Sequence, residues 1–331
     1  MVKKEINMKG KKILITGGSG SIGIELIKQI LKEKPSNIRI LSNNENSIFE
    51  LKKIFGNSRY ITYLLGDIRD KDRLKLAIRD INIVFHGAAM KRVDVCEENP
   101  FDAVKVNVMG TSNILEVSLL ENVSKFVYIS TEKAVNASTT MGASKFLAER
   151  LAINAGSYRG KGKTIFSIVR LGNVFGSKGS VSQIFLERIE KGLPIEITDK
   201  TTSRFFISIP EAASFVLKIA KIGKDGEIYI PKMSMMKIYD LGINMIKFLQ
   251  KNSKIKKSKI EIKKNHVENN IEYLISKEEL PFCYETKGMF NITKTMNKKN
   301  YSLEYFSSDK SKKIENKKFE EILKGIIKQE N

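Results

Sequence analysis

Cysteine is scarce in these 331 residues: only Cys96 and Cys283 are present. Two thiols make neither a disulfide framework nor a zinc site. Long hydrophobic runs are missing as well. No stretch approaches the roughly 18 apolar residues of a membrane span. The apolar run that follows the basic Met1–Lys12 segment, Ile13–Ile15, is far too short for a secretory signal. A cytoplasmic protein without a transmembrane segment is therefore expected. No internal repeat is visible. Negative charge is in short supply: 58 lysines and arginines against 37 acidic residues leave a formal +21. That excess invites a nucleic-acid reading. However, the lysines are spread along the chain and crowd only towards its end, in Lys251–Lys264 and Lys310–Lys318. There is no zinc finger, no aromatic stacking motif and no basic helix with heptads. Nucleic acid is not the expected partner; a basic surface suits a small anionic substrate equally well.

Apolar residues make up 41% and charged residues 29% of the chain, an ordinary globular balance. The length exceeds one average domain. Through the first half, strand-like and helix-like runs alternate. Lys12–Thr16, Asn37–Leu41, Tyr60–Leu65, Ile81–Phe85, Lys125–Ser130 and Thr164–Leu171 read as strands. Between them Ile22–Lys34, Ser47–Phe55, Arg73–Arg79, Phe101–Glu121 and Gly142–Ala155 read as helices. Such alternation implies right-handed crossovers and a parallel sheet covered on both faces. The predicted fold is therefore α/β: a doubly wound Rossmann domain over residues 1–175, then a smaller, mostly substrate-binding domain over 176–331. In that second part Gln183–Lys191, Pro210–Ala220 and Ile238–Leu249 read as helices, and Ile195–Thr198, Glu227–Ile230 and Ile260–Ile262 as short strands. The helix near 210–220 is expected to return to the first domain. Phe319–Ile327 forms one helical segment in a Lys-rich tail.

The strongest local signal is Thr16-Gly17-Gly18-Ser19-Gly20-Ser21-Ile22-Gly23, between a strand and a helix. Gly17 allows the tight turn, Gly20 lets backbone approach a phosphate, and Gly23 lets the helix pack on the strand. The helix N-terminus, with Ser21 and Ile22, offers free N–H groups and a positive dipole end to a pyrophosphate. An NAD(P)-type dinucleotide is the expected cofactor. The tip of the second strand, Ser42-Asn43-Asn44-Glu45, carries no carboxylate before Glu45. NADP is favoured, with NAD as the alternative, since no arginine is present there to clamp a 2′-phosphate. Asp67, followed by Ile68, is placed to touch the adenine. The small residues Ala88 and Ala89 after the fourth strand let a cofactor lie across the strand ends, and His86 before them reads as a core histidine. Ser130-Thr131-Glu132-Lys133 puts a hydroxyl, a carboxylate and an amine at a strand edge, a plausible acid–base cluster. On the next helix Lys145 can hold the nicotinamide ribose. Four residues before it, on the same helix face, short-chain dehydrogenases carry a tyrosine, but this chain has Met141, which cannot exchange a proton.

Several further segments fall in order along the chain: His86-x-Ala-Ala-x-Lys91, Glu97-x-Asn-Pro100, Asn107-x-x-Gly110-Thr111, Ser130-Thr131-x-Lys133-Ala134, Met141-Gly142-x-x-Lys145, Gly172-Asn173-Val174, Gly176-Ser177-x-Gly179-Ser180-Val181, Ile197-Thr198-Asp199, Arg204-Phe205 and Ile230-Pro231-Lys232. With the glycine loop and Gly66-Asp67, they resemble the UDP-N-acetylglucosamine 4,6-dehydratases of surface-polysaccharide synthesis. These belong to the extended short-chain dehydrogenase/reductase group. The resemblance runs from about Lys11 to about Ile327, and it is to the short soluble form rather than to members with membrane-embedded extensions.

The resemblance implies an internal redox cycle. Hydride leaves sugar C4 for the cofactor, water leaves across C5 and C6, and hydride returns to C6. It implies that Thr131 binds near the 4-hydroxyl, that Glu132 is the acid protonating the leaving 6-hydroxyl, and that Lys133 is the base at C5. Asn173, Ser180, Val181, Met141 and Arg204 would line the substrate site, Arg204 facing the diphosphate. Lys91 and Asn107 would border cofactor and substrate. A homo-oligomer is implied too, and retention at C5 is weakly favoured over inversion. Three departures stand out. Met141 replaces tyrosine, as in part of the family, so deprotonation of the 4-hydroxyl falls to Thr131 with Glu132 or Lys133, or to water. Glu132 stands where aspartate is usual. The substrate-holding Arg-Pro-Gly-Glu-Lys segment aligns with Asn265-His266-Val267-Glu268-Asn269, which lacks the arginine. Lys263 or Lys264 could substitute as point charges, and Glu272 lies just beyond. The rival readings are an epimerase or reductase of the same fold, and a catalytically silent Rossmann scaffold.

Overall fold

A computed structural model describes residues 7–252, 258–263, 269–297 and 301–330. Six parallel strands form its centre: β1 Lys12–Thr16, β2 Asn37–Ser42, β3 Ile61–Leu65, β4 Ile83–His86, β5 Lys125–Thr131 and β6 Ile165–Leu171. Their order across the sheet is β3-β2-β1-β4-β5-β6, the doubly wound arrangement. Both faces of this sheet are buried, so its strands read as apolar runs. Along β1, Ile13 and Ile15 point to one core while Leu14 points to the other. Helices α1 Ser21–Lys32 and α2 Glu45–Phe55 cover the first face, and α3 Lys71–Ile78 covers the second. Polar caps start α2 and α3: the Asn44 side chain accepts from Ser47 N–H, and Asp70 from Arg73 N–H.

After β4 come α4 Val93–Glu98 and α5 Pro100–Ala103. The single long helix expected over Phe101–Glu121 is interrupted. Residues Val104–Gly110 form a π-helical stretch before α6 Thr111–Leu120. Two side contacts account for the widened turn. The Asn107 amide is fastened to both backbone groups of Met90, and a Cβ on Gly110 would lie 2.6 Å from Ile68. Helix α7, Thr140–Ala155, follows β5 and is capped by Thr139.

The second part adds β7 Asn173–Phe175, α8 Val181–Glu190, β8 Ile195–Ile197, β9 Ser203–Ser208, α9 Ile209–Ile222, β10 Glu227–Pro231, β11 Ser234–Lys237 and α10 Ile238–Asn252. Then come β12 Ile260–Ile262, β13 Cys283–Thr286, β14 Met289–Ile292 and α11 Asn316–Glu330. Helix α9 starts with a Ser208/Glu211 capping box and packs its alanine-rich face into the core it shares with α1. Strand β10 does not sit in the smaller unit, where the sequence pattern placed it. It pairs in parallel with β6, and β14 and β13 continue the same sheet antiparallel, making nine strands. Its run Glu227–Pro231 is buried throughout, as an inner strand must be. The small sheets β11-β9-β7 and β12-β8, with α8, α10 and α11, enclose a third core around Phe175, Phe206, Leu241 and Phe319.

Candidate functional site

The neighbours β1 and β4 leave the sheet in opposite directions, one to α1 and the other to α4, so a crevice opens at their carboxyl ends. The glycine loop fills one lip of it. Gly17 has φ +72°, and a Cβ there would stand 2.6 Å from the Gly87 carbonyl carbon. A Cβ on Gly23 would stand 2.5 Å from Gly17 O. Glycine is thus required by packing at both places. Gly20 caps α1 without any side-chain hydrogen bond, so the first N–H groups of that helix remain available to an anion. A cavity of about 250 Å³ begins at this loop. It collects Thr16, Gly17, Gly20, Ser21, Ile22, Gly23, Ala89, Lys91, Thr131, Glu132, Lys133, Met141, Lys145 and Asn173 on one wall or another. A cradle that side chains would block, backed by an uncapped helix end, fits a dinucleotide pyrophosphate.

His86 is fully buried and acts as a strut between the glycine loop and the start of α6. The Thr16 hydroxyl lies 2.7 Å from Nδ1, and Nε2 lies 3.0 Å from Thr111 Oγ1. Thr111 spends its own proton on Asn107 O, so it can only accept from the ring. This assigns the Nε2–H tautomer, with Thr16 donating to Nδ1. Burial, helped by the Lys145 charge, pushes the imidazole down to about 3, so the ring stays neutral. Asn107 holds Met90 N–H and O, and donates to Ser144 Oγ on α7. Both residues organise the site from behind; neither lines the cavity.

The acid–base cluster forms where β5 runs out. A 3-10 turn, Glu132–Ala134, follows Thr131 directly. Thr131 Oγ1 donates to Glu132 Oε2 at 2.6 Å, and the Asn173 amide donates to Oε1 at 3.3 Å. Glu132 is 2% exposed. Burial first, and the nearby Glu272 carboxylate second, push its carboxyl up to about 7. Lys133 Nζ lies 3.6 Å from Glu132 Oε1 and donates to Glu272 Oε1 at 2.7 Å. Lys145 donates to Ile129 O at 2.9 Å and stands 4.4 Å from the centre of the Tyr128 ring. Burial pulls its ammonium down to about 8. Met141 is packed with Cys96, Ala103, Met90 and Val93, an apolar patch closing the cavity floor.

Other expected site residues stand elsewhere. Arg204 borders a second, adjoining cavity of about 420 Å³ beside Glu132 and Lys133. It is not a surface ion pair: it is 5% exposed, with Nε 3.0 Å from Glu272 Oε1 and Nη1 donating to Ser203 O and Asn270 O. Its guanidinium is turned into the protein rather than towards open solvent. Ser180 and Val181 begin α8 and line neither cavity. Ala88 packs in the core and donates its N–H to Thr16 Oγ1. Lys91 donates to Lys178 O, and Lys178 N–H donates to Ser21 Oγ, so the Gly176–Gly179 loop crosses the glycine loop. Ser42, Asn43, Asp67 and Ile68 lie outside the cavities at the sheet's far end. There the structure supplies an arginine that the tip sequence lacks. Arg69 forks onto the Asp67 carboxylate at 2.7 and 3.1 Å, and the Asn43 side chain bonds the same carboxyl. The Arg69 guanidinium holds Asp67 below the usual carboxylate range. Lys263, expected as a stand-in for the missing arginine, is paired with Glu196 at 2.7 Å. Lys264 and Glu268 lie outside the described residues. Glu272, a partner to three site residues, carried no signal in the sequence beyond its place after that segment. Among the described residues no group of three or more His, Cys, Asp or Glu side chains could hold a metal ion. No helix there is long and apolar enough to cross a membrane.

Residues 13–294 match the polysaccharide biosynthesis protein family. An uncharacterized membrane protein of Methanocaldococcus jannaschii is 46% identical over 96% of both chains. A UDP-N-acetylglucosamine 4,6-dehydratase (inverting) of Campylobacter jejuni is 42% identical over 70% of both. A UDP-glucose 4-epimerase of Rickettsia rickettsii is 33% identical over 91% of this chain and 88% of that one. The crystal structure of Pen from Bacillus thuringiensis superposes with a TM-score of 0.90, at 35% identity, over 97% of this chain and 99% of that one. From the glycine crevice to the tail the likeness is continuous, and the chain belongs to the polysaccharide biosynthesis family, in the extended short-chain dehydrogenase/reductase group that holds nucleotide-sugar dehydratases and epimerases.

Proposed function

We propose that this protein removes water across C5 and C6 of UDP-N-acetylglucosamine, giving a UDP-4-keto-6-deoxy-N-acetylhexosamine for surface glycan synthesis. One observation carries the reading. A carboxyl held up to about 7, Glu132, stands beside the Lys133 ammonium and under the Thr131 hydroxyl, in the cavity that begins at the glycine loop. A bound NADP, or NAD, held by the 16–23 loop, Lys91 and Lys145, would supply the redox step that oxidises C4 and later restores hydride to C6. The chain's own residues do the proton work. Thr131 receives the sugar near its 4-hydroxyl, and that proton leaves to water, because the Glu132 carboxyl it touches already carries one. Lys133, as the free amine, takes the C5 proton and passes it to solvent, and C5 takes a proton back on its opposite face when the cycle ends. Glu132 gives its proton to the departing 6-hydroxyl and is recharged from solvent, which has taken up the one from the 4-hydroxyl, so protons balance and one water is lost. Met141 takes no part in proton transfer and shields the pocket floor from water. The inverting description of the Campylobacter relative favours inversion at C5 over the retention expected from sequence. A cytoplasmic location accords with two buried, unpaired thiols and with this substrate.

The epimerase relative supports a second reading, in which C4 is oxidised and re-reduced without elimination. Incubation with UDP-N-acetylglucosamine and NADP, followed by mass spectrometry and NMR, separates the two. Loss of one water is expected, and the C5 signal reports inversion. An isomer of unchanged mass would replace the dehydratase reading by the epimerase, and untouched substrate would remove both.

A further inference from the structure

We propose that Glu272 is a positioning residue of the reaction centre, its carboxylate holding the Lys133 ammonium, the Arg204 guanidinium and the Asn173 amide in one fixed array around the Glu132 carboxyl. The inference rests on the dehydratase reading and adds to it a residue from a distant part of the chain. Glu272 is 8% exposed and belongs to the wall of the outer cavity. Its Oε1 receives Lys133 Nζ at 2.7 Å and Arg204 Nε at 3.0 Å; its Oε2 receives Asn173 Nδ2 at 3.2 Å. The same Asn173 amide also reaches Glu132, so one side chain bridges both carboxyls.

The carboxylate is itself held still from behind. Glu272 N–H donates to Ser308 Oγ at 2.9 Å, and Ser308 N–H donates to Glu272 O at 2.8 Å. Ser308 is buried against Ser203, the first residue of β9. Tyr273 then bridges to Ser307, and Leu274 N–H to Phe306 O. The tail segment 306–308 thus fixes the height at which the carboxylate meets Lys133. A flexible lysine of four rotatable bonds gains one defined position from such a partner.

Charge adds to position. The groups facing Glu132 are Lys133 from its own turn and Glu272 from the cavity wall, with Thr131 and Asn173 as neutral donors. With Glu132 protonated, Lys133 and Arg204 outnumber the one remaining carboxylate, and the array is net positive, as an anionic substrate requires. Removing the Glu272 charge takes away the like-charged neighbour that helps keep Glu132 protonated.

The test uses the full chain, Glu272→Gln and Glu272→Asp. With UDP-N-acetylglucosamine and NADP, Glu272→Gln should lower kcat about 100-fold while KM changes less than about threefold. Its alkaline activity limb should move to lower pH, and Glu272→Asp should recover part of kcat. Independently of turnover, carbon NMR of labelled glutamate, with Glu132→Gln identifying the Glu132 signal, should show its titration midpoint falling in Glu272→Gln. A Glu272→Gln enzyme with unchanged kcat and an unmoved Glu132 midpoint overturns the proposal. So does loss of activity with a lowered melting temperature, an unmoved midpoint and no recovery in Glu272→Asp. A wild-type protein that releases no water defeats the dehydratase reading, while the NMR midpoint still decides what Glu272 does.

Discussion

Replacing Glu132 by glutamine should stabilise the protein in alkali while abolishing turnover. In the fold the carboxyl keeps its proton up to about 7, against an ordinary value of 4.5. A raised carboxyl value means that the folded state binds a proton which the unfolded chain has released. Stability contributed by that proton is complete below about 4.5 and drains away as pH climbs through about 7. A gap of about 2.5 pH units corresponds to roughly 3 kcal/mol at full extent. Glutamine has no such titration. Comparing the two proteins at each pH cancels every other ionising group, so only Glu132 and the groups coupled to it remain in the difference. From pH 5 to pH 9 that difference should grow by roughly 2–3 kcal/mol in favour of the variant. For a chain of this size it corresponds to about 4 °C in melting temperature. Differential scanning fluorimetry across the pH range reads it directly. If the gap between the melting curves stayed flat from pH 5 to pH 9, Glu132 would not be held protonated. Its assignment as the acid would then fail.

Gly17→Ala should abolish cofactor binding and destabilise the fold by about 2 kcal/mol or more, because the new methyl meets the Gly87 backbone at 2.6 Å in a left-handed conformation; quenching titrations and thermal melts check it. Arg170→Met should destabilise by about 3–5 kcal/mol, since it strands Glu149, 1% exposed and bonded twice by the lost guanidinium. Adding Glu149→Leu should restore much of that loss in the same urea unfolding assay. Arg69→Ala should weaken NADP about tenfold while leaving NAD nearly unchanged, the loss expected of one charge-assisted contact at the tip of β2; equal effects on both cofactors would mean that Arg69 serves only Asp67.

The glycine loop, the six central strands and the Thr131-Glu132-Lys133 run were legible in sequence because each is local. A strand of five buried residues, a turn needing positive φ, and three adjacent chemical groups all announce themselves within a few positions. Of the later strands, β8, β10 and β12 were legible too, whereas β7, β9, β11, β13 and β14 were not. β9 and β11 are short, buried on both sides or flanked by equally apolar neighbours, so no alternation marks them. The placement of β10 depends on pairing with β6, which no window around Glu227 contains. Glu272 escaped for the same reason. Its meaning lies in Lys133, Asn173, Arg204 and Ser308, which are as far as 139 positions from it. The interrupted helix at Val104–Gly110 was hidden because apolar spacing hardly differs between α and π turns over so few residues.

The parallel pairing of β10 with β6 bears on how such a chain can be divided. A fragment ending near residue 175 would leave the outer edge of β6 bare, and the same sheet would lack β10, β14 and β13. It would also lose α9, which fills the core shared with α1. Exchanging the second half for that of a relative would therefore have to bring a compatible inner strand and helix with it. The natural unit of recombination in this protein is an interleaved pair of segments, and a hybrid joined at a single point should be insoluble unless β10 and α9 travel with the half they complete.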